Sequence, residues 1–147
     1  MNTPHQILPA VAAAIFNENG EVLLQKRSDV NKWCIISGHV EFGETIEHAM
    51  LREISEETNT PAKIVRLIGV YSSPHSQTYQ YGNRTVQYVT SYFEAQLTGT
   101  LDLQFCNTET KELRFFKPDE IPSGDLALIN PNWLSDALDK ETTVFIR

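Results

Sequence analysis

Four carboxylates, Glu44, Glu53, Glu56 and Glu57, lie close together in the chain, with Arg52 among them and Gly38 and Gly43 upstream. Carboxylates crowded in this way repel one another unless a positive partner joins them. The usual partner is a hard divalent cation such as Mg²⁺, which takes oxygen ligands and keeps waters for chemistry or for substrate phosphates. Helical phase sharpens the point. At ~100° per residue, Ile46, Ala49 and Met50 form one stripe, and Glu53 and Glu57 continue it within roughly 20–30° of its centre, with Glu56 on the flank at about 80°. A solvated helix sets its glutamates opposite the apolar stripe. Here the stripe itself turns acidic, as expected for the lining of a partly enclosed cleft. Taken alone, Arg52–Glu57 is also compatible with a Glu-rich surface helix carrying one i,i+4 ion pair between Arg52 and Glu56.

The upstream glycines separate these readings. With Gly38 and Glu44 included, the segment resembles the Nudix box, whose pattern is Gly, five residues, Glu, seven residues, then Arg-Glu-apolar-any-Glu-Glu-any-Gly-apolar. Gly38, Glu44, Arg52, Glu53, Ile54, Glu56 and Glu57 match in register. Asn59 stands where the pattern has Gly, and Thr60 where it has an apolar residue. The position of Asn59 looks like a helix exit needing positive φ, where Asn is the next-best residue to Gly. The hydroxyl of Thr60 predicts looser packing there. Ser37 and Ile36 replace a frequent Gly and Pro just before the box.

The resemblance, MutT-like in type, implies an α/β fold, an α/β/α sandwich with a mixed β-sheet in which the box forms a loop–helix–loop. It implies a Mg²⁺- or Mn²⁺-dependent nucleotide pyrophosphohydrolase, cutting the diphosphate linkage of a small-molecule nucleoside diphosphate joined to another moiety. The expected metal ligands are Glu53, Glu56 and Glu57, with the Gly38 carbonyl and Glu44 as additions. Arg52 is expected to orient a box glutamate. A box glutamate, or a downstream one at Glu112 or Glu109 with Glu112 favoured, is the expected base. Folds of this kind are commonly homodimeric. Two other readings stand beside the hydrolase: a nucleotide-binding or sensor module on the same fold with catalysis lost, and an acidic helix with no ligand.

Composition agrees with a small-molecule enzyme. The chain has 147 residues, 41% hydrophobic and 21% charged, with a formal charge of −7. That is enough for one domain, expected over residues 1–147, with its own core. The negative charge argues against a binder of nucleic-acid polymers or membranes, which needs basic surface. It is no bar to a phosphate substrate when a bound metal reverses the local field. Cys34 and Cys106 lack metal-site spacing and are expected to be buried free thiols, suiting a reducing cytoplasm. Leu8–Phe16 is too short, and too poor in preceding basic residues, for a secretory leader, and no stretch is long enough to span a bilayer.

The elements that must hold the carboxylates follow from patterning. Ala10–Phe16 reads as a buried strand, and Asn17–Gly20 as the turn of a hairpin returning through Glu21–Lys26. Ser28–Lys32 reads as a loop and Trp33–Ile36 as a short strand. Thr45 is a suitable N-cap for a helix to Thr58, with Pro61 beyond its exit. Lys63–Tyr71 and Thr85–Leu97 read as strands flanking a long loop, Ser72–Arg84. Leu113–Phe116 reads as a further strand and Pro118–Ile121 as a helical turn. Asn130-Pro131 suggests a cap and first residue of a helix to about Asp139.

Within this frame Arg27, at a strand end, is suited to a substrate phosphate. Tyr79, Tyr81 and Arg84 are suited to stacking on a base and pairing with phosphate, and specificity is expected from Ser72–Arg84 and from around Leu126–Pro131. His39 is expected to point away from the ion and His48 to be exposed. Trp33 and Trp133 are expected in the core.

Overall fold

The apolar run from Ala10 to Ile15 is the centre of a mixed sheet in the computed structural model, which describes residues 4–141 and 143–147. The strands and helices are β1 (His5–Ile15), β2 (Val22–Arg27), β3 (Trp33–Cys34), β4 (Ile36–His39), α1 (Ile46–Thr58), β5 (Ala62–Tyr71), α2 (Pro74–Gln77), β6 (Thr78–Tyr81), β7 (Arg84–Leu97), β8 (Thr110–Phe116), α3 (Trp133–Leu138) and β9 (Phe145–Ile146). Short 3₁₀ turns occupy Pro118–Glu120 and Ser123–Asp125. The larger sheet runs β4–β1–β7–β5–β9, with β6 pairing the start of β7. β1 and β7 are parallel from His5–Thr85 to Ile15–Ala95, and β5 and β9 are parallel; the other pairs in this sheet are antiparallel. A second, antiparallel sheet has the order β3–β2–β8.

Strand alternation sorts the core into two layers. Val11, Ala13 and Ile15 face one way with Phe93 and Ala95, and there meet Ala49, Met50 and Ile54 of α1. Ala12 and Ala14 face the other way, with Tyr71, Tyr92, Trp33, Trp133 and Ala137. β1 is covered on both faces over Ala10–Ile15, so its sequence there is continuously apolar rather than alternating. β2 is shared similarly: Leu23 joins the α1 layer, and Val22 and Leu24 the other.

Both ends of α1 form as expected. The Thr45 hydroxyl accepts from the His48 amide at 3.1 Å, and Asn59 adopts φ 52°, ψ 32° with its N–H on the Ser55 carbonyl. Thr60, expected to pack loosely, is buried, and its hydroxyl donates to the Thr58 carbonyl at 3.0 Å. Ile46 is exposed, so the buried stripe begins at Ala49 and takes in Ile54.

Several elements differ from expectation. The Asn17–Gly20 turn is present: the Asn17 side-chain oxygen accepts from the amides of Asn19 and Glu21, and Gly20 has φ +74°. Beyond one bridge between Phe16 and Val22, however, β1 and β2 diverge into different sheets, so the turn links layers and not hairpin strands. Ser72–Arg84 is not a loop; it holds α2 and then β6, which pairs antiparallel with β7 across Gly82 at φ +54°. β1 begins at His5 and β8 at Thr110, because neighbouring strands supply pairing beyond the apolar runs. α3 begins at Trp133, not after Asn130. The Asn130 side-chain oxygen accepts from the Asn132 amide and its carbonyl from the Trp133 amide, forming a tight turn ahead of the helix. Cys34 is half-buried and Cys106 is exposed, which corrects the expectation of two buried thiols. Burial pushes the Cys34 thiol up to about 12, an unreactive state.

Candidate active site

The carboxylates are organised by Arg52. Its Nε and Nη2 donate to the two oxygens of Glu44 at 2.6 and 3.0 Å, and its Nη1 donates to Glu53 at 2.9 Å and Glu56 at 3.2 Å. Nη2 also donates to the His39 carbonyl at 3.0 Å, tying helix α1 to the end of β4. A planar fork of five donors is what one residue needs to do this. The bonds from Arg52 hold Glu44 below the usual carboxylate range, and those to Glu44 in turn raise Arg52.

Glu53 lies against Gly38. A Cβ at position 38 would sit 2.1 Å from the carboxyl carbon of Glu53, so glycine is required there by close approach and not by backbone angle. Gly43, by contrast, has φ +89° with open space around it. Burial raises Glu53 despite the guanidinium beside it. Glu57 is only 3% exposed, and Thr110 Oγ1 donates to it at 2.7 Å. Burial, followed by a shared hydrogen bond with Glu109, pushes Glu57 up to about 7. Asn107 holds this arrangement: its side-chain oxygen accepts from the Glu109 and Thr110 amides, and its nitrogen donates to the Glu56 carbonyl at the end of α1.

Gly38, Glu53 and Glu109 open onto a cleft of about 560 Å³. Ser37, His39 and Glu41 line it with them, as do Arg27 and Asp29, and Tyr79, Tyr81, Arg84 and Tyr88. Arg27 is held by Asp29 through paired bonds of 3.0 and 2.9 Å, which outweigh the effect of burial and leave it raised. Tyr79 and Tyr81 stack at 6.0 Å, and the Arg84 guanidinium lies 5.3 Å from the Tyr81 ring. A deeper recess is walled by Tyr71, Tyr92 and Trp133, with Thr90 and Asn130 beside them.

Comparison with known proteins settles the family. The NUDIX domain profile matches residues 6–137. The chain belongs to the Nudix family. A Bacillus subtilis (strain 168) protein provisionally named 8-oxo-dGTP diphosphatase is 35% identical over 108 residues, which is 74% of this chain and 65% of that protein. The ADP-ribose pyrophosphatase of Methanocaldococcus jannaschii is 44% identical over 70 residues, 45% of this chain and 41% of its own. The chain thus spans less than two thirds of the length of either curated relative. Among solved structures, an ADP-ribose pyrophosphatase from Streptococcus suis 89-1591 superposes with a TM-score of 0.75 at 20% identity, covering 95% of this chain and 98% of that one; this likeness shows the fold. The α/β Nudix fold with a mixed sheet is therefore the architecture of the chain.

Of the residues singled out in the sequence, Gly38, Glu53, Arg27, Tyr79, Tyr81 and Arg84 line this Nudix cleft, whereas Glu44, Arg52, Glu56 and Glu57 are not among its lining residues. Glu112 lies elsewhere. It pairs with Arg114 at 2.5 Å and lines a separate groove with Cys106 and Lys111. A β-bulge is the cause. Arg27 opposes Thr110 while Lys26 opposes Glu112, so β8 carries one extra residue, Lys111, and the strand changes face behind Thr110. Glu109 is the downstream carboxylate in the cleft. His48 is exposed and Trp33 and Trp133 are buried, as expected. The His39 ring does not simply point away: it lines the cleft and bonds the Tyr88 hydroxyl at 2.9 Å, which in turn meets the Tyr81 hydroxyl at 3.0 Å.

Sequence reasoning missed Tyr88, Thr90, Asn107 and Asp29 as residues of the site, whereas Asn130 falls within the Leu126–Pro131 segment expected to set specificity. Alternation on β7 carried the only usable signal, since Arg84, Tyr88, Thr90 and Tyr92 share one face. Among the described residues neither the Thr90 hydroxyl nor the Asn130 amide nitrogen has a partner, although both side chains are largely buried.

The carboxylate oxygens gathered around Arg52 are donors of the kind that Mg²⁺ or Mn²⁺ takes. A buried Glu57 that favours its protonated form is a group a cation would ionise. Among the described residues no three potential ligands converge as they stand, because Arg52 lies between Glu53 and Glu56, and Glu57 turns to Thr110. The Glu56 side chain is 56% exposed and, among the described residues, is held only by its 3.2 Å contact with Arg52.

Proposed function

We propose that this Nudix chain is a divalent-metal-dependent hydrolase that cleaves the diphosphate linkage of a nucleoside diphosphate joined to another moiety. The observation that carries the reading is one cleft lined both by Glu53, which Arg52 holds, with Glu109, and by the stacked Tyr79 and Tyr81 with Arg84. A cleft lined by carboxylates, arginines and aromatic rings suits a molecule that carries both phosphates and a flat ring.

Glu53, Glu56 and Glu57 would hold Mg²⁺ or Mn²⁺, with the Gly38 carbonyl and Glu44 as further donors. When bound, such an ion neutralises phosphate charge, orients the diphosphate and lowers the pKa of an attacking water. Arg52 keeps Glu44 and Glu53 in place and does not meet substrate. Arg27 presents its guanidinium to phosphate oxygens from the side of the cleft. Glu109, which lines the cleft where Glu112 does not, would take the proton of the water as general base. Tyr79 and Tyr81 stack against the base, with Arg84 over the Tyr81 ring.

The test is phosphate release over a panel of nucleoside triphosphates, oxidised nucleotides, ADP-ribose, nucleotide sugars and dinucleotides, with Mg²⁺ or Mn²⁺. Turnover that is abolished by EDTA and by Glu56→Gln is the expected result. One observation favours the alternative of a nucleotide-binding module: Arg52 occupies both Glu53 and Glu56. Saturable nucleotide binding with no turnover of any panel member would establish that alternative.

A further inference from the structure

We infer that Asp136 and Arg147 are positioning residues for the ligand cleft, acting through Tyr71. The inference rests on the proposed reading of the cleft as a nucleotide site. Tyr71 ends β5, and its ring forms part of the deep recess while remaining only 4% exposed. Its hydroxyl donates to Asp136 Oδ2. Asp136, on α3, is itself only 2% exposed, and Arg147 clasps it through Nε at 3.0 Å and Nη2 at 2.8 Å. A buried carboxylate is tolerable only with such a partner. The bonds from Arg147 and Tyr71 outweigh burial and hold Asp136 below the usual range.

Arg147 also grips the backbone on both sides of Tyr71. Its N–H donates to the Val70 carbonyl at 3.0 Å, and its carbonyl accepts from the Ser72 amide at 2.7 Å. β9 can lie along β5 because position 69 is glycine, where a Cβ would sit 2.4 Å from the Phe145 carbonyl. Arg147 thus holds both Asp136, the partner of the Tyr71 hydroxyl, and the backbone of the residues on either side of Tyr71. Its neighbour Tyr92, 5.1 Å away, donates to the Trp133 carbonyl on the helix that carries Asp136. The network ties the two walls of the recess, β5 and α3, into one unit. The Tyr71 hydroxyl is committed to Asp136, so the recess receives the ring and not the hydroxyl.

The test uses Tyr71→Phe, Asp136→Asn and the double variant. Binding of ADP, GDP and UDP is followed by tryptophan fluorescence, with KM and kcat measured on the panel nucleotide that the wild type cleaves fastest, and folding checked by circular dichroism. Tyr71→Phe keeps the ring, disturbs no charge, and so remains informative if Asp136→Asn fails to fold. Loss of one hydrogen bond predicts binding weaker by about two- to tenfold. The expected result is that weakening in each single variant, no further weakening in the double, and kcat within about twofold of wild type. Unchanged binding by a folded Tyr71→Phe, or additive effects in the double variant, overturns the inference. Wild-type binding without turnover removes the hydrolase reading alone, whereas a wild type that binds none of the three diphosphates overturns both.

Discussion

Gly38→Ala separates damage to the site from damage to the fold. The added Cβ would stand 2.1 Å from the Glu53 carboxyl carbon and 2.3 and 2.5 Å from its oxygens. Ordinary contact begins near 3.4 Å, so the carboxylate must retreat by about 1.3 Å, the difference of 3.4 and 2.1. That retreat breaks the 2.9 Å bond from Arg52 and takes Glu53 away from its place in the cleft. The atom in the way is the end of a flexible side chain, so the fold should lose less than the ~1–3 kcal/mol typical of overpacking. A misplacement of ~1 Å near the reacting centre costs on the order of 10²-fold in rate. At ~1.36 kcal/mol per decade that is about 2.7 kcal/mol of barrier. A stability loss of ~1 kcal/mol, against a total of ~5–15, leaves nearly all molecules folded and cannot produce such a drop. The assay is kcat/KM for phosphate release in Mg²⁺, with a thermal melt of the same sample. Gly43→Ala is the control: with φ +89° and nothing within 4 Å, it incurs backbone strain of ~1–2 kcal/mol without obstructing a carboxylate. Activity of Gly38→Ala within about threefold of wild type, or losses that track the melting temperature in both variants, would refute the geometric argument.

Three further outcomes are expected. Glu56→Gln lowers kcat by at least about 10²-fold with an unchanged circular dichroism spectrum, because a cation loses a charged donor; near-wild-type kcat would remove the metal role of Glu56. Glu57 has a folded pKa raised to about 7, so its contribution to the stability of the metal-free protein is present below ~4.5 and lost as pH rises through about 7. The same ionisation favours a cation, so Mn²⁺ affinity measured by calorimetry should climb with pH up to about 7 and level off above it; a flat profile across this window would count against Glu57 as a ligand. Asn59→Gly should raise stability in urea melts by a few tenths of a kcal/mol and Asn59→Ala lower it by about 1 kcal/mol, since φ 52° suits Gly best and penalises a β-carbon; equal stability of the two variants would contradict the left-handed exit.

Local rules made α1 legible. A threonine hydroxyl at the entry, an asparagine at the exit and a stripe that turns acidic are features of consecutive residues, and each has its counterpart in the folded chain. Pairing partners are not written locally. Nothing in Asn17–Gly20 tells that the strand after it joins Trp33 and Thr110 in another sheet, because the turn chemistry is the same for a hairpin and for a link between sheets. Nor does Thr78–Tyr81, flanked by polar residues, announce itself as a strand; it is one because the first residues of β7 offer it an open edge.

The candidate site divides along the same line. Residues on one helix could be placed by phase, and residues brought from elsewhere could not. Glu109 and Glu112 have the same chemistry and nearly the same position in the chain, yet Glu109, just before β8, lines the cleft and Glu112, beyond the bulge, lines a separate groove. Asn107 looks like an ordinary loop residue until its side chain is seen joining Glu109, Thr110 and the end of α1. The same holds at the far wall, where the aromatic character of Tyr71 was visible but its anchorage to Asp136 and Arg147 depends on β9 lying beside β5. The box helix supplies chemistry shared by any diphosphate, and it can be read from consecutive residues because that chemistry needs charged groups at helical spacing. Selectivity needs a cavity, and a cavity exists only once distant strands have met; on the proposed reading, substitutions that alter which nucleotide is accepted should therefore fall on β5, β6, β7 and the turn before α3, and leave the Arg52 network intact.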